Sequence, residues 1–262
     1  MTETAAATLI SLSPVPLQAV ELERAHIVRP PVPLPAQLVA CADPQSVGAE
    51  QFRRLAVSLS HTRAQRRLHT VLVSSAAPGE GKTINAANLA LTLARPGRER
   101  VLLLEGDLHR PALLARMGVQ AERGLGDWLE QRLPLGQCLL RWSGLPLWIL
   151  PAGRRRSLPL ELLQTWSPAC ILELLTPHFD WIIVDSPPLL PMADASHWAR
   201  ATDGVILTVR AERTRLADLQ LAVRQIEREQ WLGVVLNDCS AREHRYYRHY
   251  YPEDPGKGKA GQ

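Results

Sequence analysis

The stretch Thr70–Ala94, TVLVSSAAPGEGKTINAANLALTLA, constrains the fold of this chain more than any other. Its apolar start, Val71-Leu72-Val73, reads as a buried strand, and its Ala/Leu-rich end reads as a helix. Between them, Ala76-Ala77-Pro78-Gly79-Glu80-Gly81-Lys82-Thr83 matches a P-loop in which Ala replaces the first Gly. Gly79 and Gly81 let the backbone curl so that successive N–H groups converge on phosphate oxygens. The helix beginning near Lys82 points its positive end at the same place. Lys82 can then reach the β/γ-phosphates of a nucleotide, while the Thr83 hydroxyl can ligate Mg²⁺. The nucleotide-binding set is therefore Ala77, Pro78, Gly79, Glu80, Gly81, Lys82, Thr83 and Ile84, the last through its backbone N–H alone. Of the 30 Lys and Arg residues only Lys82, Lys257 and Lys259 are lysine. A chain that otherwise writes arginine keeps a compact ammonium at the P-loop, where a guanidinium fork does not fit the task.

The rest of the composition mainly excludes. A length of 262 residues suits one α/β domain with tails, and 46% apolar and 21% charged residues are globular values. The net charge of +4 comes from dispersed arginines, which argues against bulk nucleic-acid binding. Cys41, Cys138, Cys170 and Cys239 show no metal spacing and read as reduced thiols of a cytosolic protein. No basic leader precedes an apolar run, so no signal peptide is expected, and no run of about 18 apolar residues predicts a membrane span.

Residues 1–45 are rich in Pro, Ala and Val without a period and are expected to be an extended, disordered leader. A helix follows over Ser46–Gln65, with Phe52, Leu55, Ala56 and Leu59 on one face. Its start, Glu50-Gln51-Phe52-Arg53-Arg54-Leu55, fits either a solvated helix face or a subunit contact. A second strand, Arg100–Leu104, runs into Glu105-Gly106-Asp107. Carboxylates at a strand's carboxyl end beside a P-loop lie where open α/β sheets bind ligands, and could hold Mg²⁺-bound water or accept a proton from an attacking hydroxyl. Further strands are expected at Leu147–Leu150, Trp181–Val184, Gly204–Val209 and Gly233–Leu236, and helices at Leu160–Leu175 and Thr214–Arg228. The strand Trp181–Val184 ends in Asp185, a Walker B pattern whose carboxylate serves Mg²⁺. Asn237, at the last strand tip, fits a base contact or a turn. Strands alternating with helices predict a doubly wound, mostly parallel α/β sheet. All four tyrosines, Tyr246, Tyr247, Tyr250 and Tyr251, fall beyond the last strand, among Arg245, Arg248 and His249. Such a tail suits either single-stranded nucleic acid or phosphate acceptance.

Taken together, these motifs resemble the bacterial tyrosine kinases of capsule and exopolysaccharide assembly. The resemblance covers roughly Leu38–Tyr251. It rests on the Glu50–Leu55 and P-loop segments, Glu105-Gly106-Asp107, Leu150-Pro151-Ala152-Gly153, Val184-Asp185-Ser186-Pro187-Pro188, Asp203-Gly204-Val205, Val234-Val235-Leu236-Asn237 and the tyrosine tail. It implies a P-loop NTPase fold of the MinD/ParA type, with a kinase domain over 46–240 and a flexible tyrosine-rich tail over 241–262. It implies autophosphorylation by ATP of tail tyrosines, often a neighbour's, with Lys82 on the phosphates and Thr83, Asp107 and Asp185 on Mg²⁺. Glu105 or Asp107 would assist deprotonation, and Asn237 would touch adenine. The phosphoacceptors would be Tyr246, Tyr247, Tyr250 and Tyr251. Glu50, Phe52 and Arg53 would join subunits into a homo-oligomeric ring. The implied partners are a membrane chain-length regulator on a separate chain, which activates the kinase, and a tyrosine phosphatase; nucleic acid is not among them. The implied location is cytoplasmic, at the inner face of the plasma membrane.

The sequence departs from that family at three positions near the chemistry. Glu105 stands where Asp is usual, moving a carboxylate by one methylene, about 1.5 Å. His109 stands where Arg is frequent, and Ile84 replaces a hydroxyl residue. Two other readings share the nucleotide site: an ATP-binding scaffold without phosphate transfer, and a partition or cell-division positioning ATPase. The latter class places a second lysine early in the P-loop, where this chain has Ala77 and Pro78.

Overall fold

Short leucine-, isoleucine- and valine-rich runs form strands here because both of their faces are covered. The computed structural model describes residues 22–94, 99–131, 133–154, 162–163 and 166–239. Its strands are β1 (His26–Val28), β2 (Thr70–Ser75), β3 (Val101–Glu105), β4 (Leu140–Trp142), β5 (Leu147–Leu150), β6 (Trp181–Asp185), β7 (Gly204–Arg210) and β8 (Trp231–Asn237). They pair in the order β1-β4-β5-β3-β6-β2-β7-β8, and every pairing is parallel except β4 with β5. The helices are α1 (Val39–Ala42), α2 (Val47–Gln65), α3 (Lys82–Leu93), α4 (Leu113–Met117), α5 (Leu125–Gln131), α6 (Pro168–Leu175), α7 (Ala193–Ala201) and α8 (Leu216–Val223).

Successive strand residues point to opposite faces. On β3, Leu102 and Leu104 enter a core with Trp128, Trp148, Ile171 and Trp198, beneath α5 to α8. Val101 and Leu103 enter a second core with Leu89, Leu113 and Trp181, beneath α1 to α4. This is the expected doubly wound, mostly parallel α/β sheet. β6 lies between β3 and β2, with Asp185 in register with Glu105 on one side and Val73 on the other. Three motif-bearing strand ends therefore open onto one crevice, the position at which such sheets bind ligands.

Two local devices fix this arrangement. The Asp203 carboxylate accepts hydrogen bonds from the His69 and Thr70 backbone N–H groups and the Thr70 hydroxyl, each at 2.9 Å, tying the start of β2 to β7. These bonds overcome burial and hold its pKa below the usual value. At Gly204 a Cβ would come within 2.4 Å of Leu232, so β7 and β8 approach closely only because that side chain is absent.

Several expectations are corrected. The extended leader expected over 1–45 does not hold over 22–45, which forms β1 and α1 and buries Leu22, Ala25, Val28 and Leu38, while residues 1–21 lie outside the described residues. A three-residue edge strand and a four-residue helix are too short to write a period in the sequence. β4, α4 and α7 were likewise not expected. The helix expected over Leu160–Leu175 has its described regular part at α6, where the Ser167 hydroxyl accepts the Cys170 N–H. That expected over Thr214–Arg228 contracts to α8. The four tyrosines and the rest of the tail lie outside the described residues. Among the described residues, no helix is long and apolar enough to cross a membrane.

Candidate active site

The P-loop takes the conformation its glycines allow. Gly79 and Gly81 have φ of +83° and +97°, a region L side chains rarely enter, and Gly81 caps α3. A Cβ on Gly81 would lie 2.0 Å from Asn237 Nδ2, so the loop and the tip of β8 meet only over a bare backbone. Asn237 Nδ2 donates to the Glu80 carbonyl at 3.0 Å. Glu80 is itself buried: one carboxylate oxygen accepts the Ala77 N–H at 3.2 Å, and the other accepts the Thr214 hydroxyl at 2.5 Å. Arg210 reaches the Gly79 carbonyl at 3.4 Å and pairs with Asp238 at 2.8 Å. Thr214 and Arg210 had not been expected near the loop; a hydroxyl and a cation just after an apolar strand were the only signals.

Lys82, Asp107 and Asp185 come together from α3, the loop after β3 and the end of β6. Lys82 Nζ lies 3.1 Å from Asp107 Oδ2 and 3.7 Å from Asp185 Oδ1. Burial opposes the Lys82 charge, but Asp185, Asp107 and Glu105 together hold its pKa above the ordinary value. Asp185 is 1% exposed, and burial pushes its carboxyl up to about 7 against the pull of Lys82. The Thr83 hydroxyl hydrogen-bonds this carboxylate, while Oδ1 has no hydrogen-bond partner. A buried carboxylate oxygen without a donor, beside a threonine hydroxyl and a P-loop, is a donor set suited to a hard cation. Among the described residues no group of three or more His, Cys, Asp or Glu forms a metal cage. A cation held here would need its remaining ligands from phosphate and water, as Mg²⁺ commonly does.

Glu105 is differently placed. Its Oε1 accepts the Ala112 and Leu113 N–H groups at 2.6 and 2.7 Å, and Oε2 accepts the Ala152 N–H at 2.9 Å. Burial raises its pKa despite these bonds, and the side chain is 2% exposed. Both oxygens are thus committed to backbone. Asp107 spends Oδ1 on the Arg110 N–H and leaves Oδ2 to Lys82.

The proposed subunit-contact residues lie on α2, outside this crevice. Arg53 bridges Glu50 at 2.7 Å and donates to the Pro44 carbonyl at 2.8 Å, and Phe52 leans on the chain's own second core.

Comparison with known proteins places this constellation in context. No family model matches the chain. It is 28% identical over 220 residues to tyrosine-protein kinase YwqD of Bacillus subtilis, spanning 83% of this chain and 92% of YwqD. It is 32% identical over 186 residues to tyrosine-protein kinase CpsD of Streptococcus pneumoniae, spanning 69% of this chain and 80% of CpsD. It is also 32% identical to the succinoglycan biosynthesis transport protein ExoP of Rhizobium meliloti, covering 79% of this chain but 29% of ExoP. Among solved structures, the chimerical protein CapA2B2 superposes with a TM-score of 0.70 at 25% identity, over 77% of this chain and 89% of that one. The septum site-determining protein MinD of Pyrococcus horikoshii, complexed with Mg-ADP, superposes with a TM-score of 0.52 at 25% identity, over 67% and 73%. The P-loop fold is common to both neighbours, whereas the sequence agreement runs with the kinases across most of the domain. The chain belongs to the bacterial tyrosine-protein kinases of capsule and exopolysaccharide biosynthesis.

Proposed function

We propose that this kinase transfers the γ-phosphate of ATP to the tail tyrosines Tyr246, Tyr247, Tyr250 and Tyr251, and that Asp107 is the base. The observation that carries this reading is the Lys82–Asp107–Asp185 cluster beside the P-loop. Without nucleotide, Lys82 holds Asp107. Phosphate oxygens compete for the ammonium, and its movement onto them frees Asp107 Oδ2. That oxygen takes the proton of an incoming tyrosine hydroxyl, the phenolate oxygen bonds to the γ-phosphorus, and the bond to the bridging oxygen breaks to release ADP. Thr83 and Asp185 would hold Mg²⁺, with Asp107 nearby. When bound, the ion supplies charge neutralisation on the β- and γ-phosphates. The P-loop N–H groups from Gly79 to Ile84 hold the phosphates, while Ala77 and Pro78 shape the loop, and Asn237, already fixed against Glu80, offers its Oδ1 towards the adenine.

Glu105 acts in this scheme as a tie between loops, since both of its oxygens are occupied. Copies of the chain associate through Glu50, Phe52 and Arg53, and a membrane chain-length regulator on another chain brings the kinase to the inner membrane face and activates it. The motif at Glu50–Leu55 supports that part.

Intact-mass measurement after incubation with Mg-ATP tests the proposal. Phosphate should add to the full chain and to neither Lys82→Met nor a truncation after residue 239. ATP binding without any mass gain would sink the kinase mechanism and favour a nucleotide-dependent scaffold.

A further inference from the structure

Asp194 and Trp198 stand one turn apart on α7 and face the loop that carries Asp107. The Asp194 carboxylate is 2% exposed, and its Oδ2 lies 3.2 Å from His109 Nε2 without an aligned hydrogen bond. Trp198 is fully buried against Gly106, where a Cβ would come within 2.9 Å of the indole Cε2 and Nε1. Its Nε1–H has no acceptor. One helix face thus presents a buried carboxylate oxygen and a buried indole N–H, both without aligned partners, to one five-residue segment of the loop, Gly106–Arg110. Such groups carry a cost in a folded protein and call for a compensating role.

The loop itself has few polar ties. Gly106 N–H donates to the Asp185 carbonyl at 2.7 Å, but the Leu108 and Arg110 N–H bonds stay within the loop. The tip is held from outside by Lys82 on Asp107 and by Asp194 on His109. We propose that Asp194, acting through His109, is a positioning residue for Asp107. In the mechanism above Lys82 leaves Asp107 for the phosphates. Among the described residues, the His109–Asp194 contact is then the remaining side-chain polar tie that reaches the loop tip from outside the loop. The Trp198 indole against Gly106 closes the other end. Together they keep Asp107 Oδ2 in place when its cation partner departs, and small displacements of a catalytic group slow reactions steeply.

The inference rests on Asp107 as the reacting carboxylate, so the test includes a reading that needs no turnover. Hydrogen exchange is followed in the nucleotide-free full chain for wild type, Asp194→Asn and His109→Gln. The peptide spanning Gly106–Arg110 should exchange roughly tenfold faster in both variants, with β2 and β6 peptides unchanged. In phosphoryl transfer, both variants should lose about tenfold or more in kcat, with nucleotide affinity within about threefold of wild type. His109→Arg, which places a guanidinium donor opposite Asp194, should recover most of the rate. Unchanged exchange of the loop in both variants would overturn the proposal. So would a rate loss accompanied by faster exchange throughout the sheet, which marks a structural pair only. If the wild type transfers no phosphate, the acceptor mechanism fails while the exchange result still decides the positioning role.

Discussion

Asp185 shows what one residue's surroundings do to the molecule's response to pH. Its ordinary pKa is 3.8, and burial raises it to about 7 in the folded chain. Between those values the folded state holds a proton that the unfolded state has lost. This contribution to stability is therefore greatest at the acidic end, declines as pH rises towards 7 and is level above it. The slope is at most about 1.4 kcal/mol per pH unit. Denaturant unfolding of nucleotide-free protein at pH 5, 6 and 7 should show the decline, and Asp185→Asn should flatten it; equal slopes in the two proteins would refute the assignment. Asp185 was legible in the sequence because four apolar residues run straight into a carboxylate. Lys82 was legible because lysine is so scarce. Asp194, His109, Arg210 and Thr214 were not recognised as partners, because each acts through a contact across the fold that no local period records. Glu105 was legible as a carboxylate at a strand end, but its three backbone donors come from segments seven to 47 residues away.

At the scale of elements, Glu105 joins the end of β3 to the start of α4 and to the turn after β5. A glutamine keeps the shape but offers one acceptor oxygen, and it turns an NH₂ group towards a backbone N–H. Glu105→Gln should therefore destabilise the protein by about 2–4 kcal/mol, in line with leaving buried donors unsatisfied. Phosphoryl transfer should fall but persist when assayed well below the melting temperature. Complete loss of transfer with unchanged unfolding would instead identify Glu105 as the base. Elements were legible in proportion to their length and apolar continuity. The central strands and α2 carry enough residues to write their pattern, and the Ser46 hydroxyl, accepting the Ala49 N–H at 3.2 Å, starts α2 where the cap residue predicts. α4 and β1 do not, because their few residues are held by tertiary contacts.

For the whole molecule, chain length alone permits a tail tyrosine to approach its own site. Tyr246 is seven residues beyond Cys239, a reach of at most about 25 Å, and β8 lies two strands from β2, about 10 Å. Transfer between molecules is the expected route, and mixing separates the two. Full-length Lys82→Met should gain phosphate when incubated with wild-type protein truncated after residue 239, and none alone. If only the intact wild type is labelled, transfer is confined within one chain. The strand order carries one more consequence. The described chain enters the sheet at one rim, at β1, and leaves it at the other, at β8. Seven strand spacings separate those rims, about 34 Å. A donor dye before His26 on one set of molecules and an acceptor dye after Asn237 on another would therefore report only contacts between copies. Energy transfer that rises with protein concentration would register the rim of one copy meeting the opposite rim of the next, giving any such row of kinases a direction.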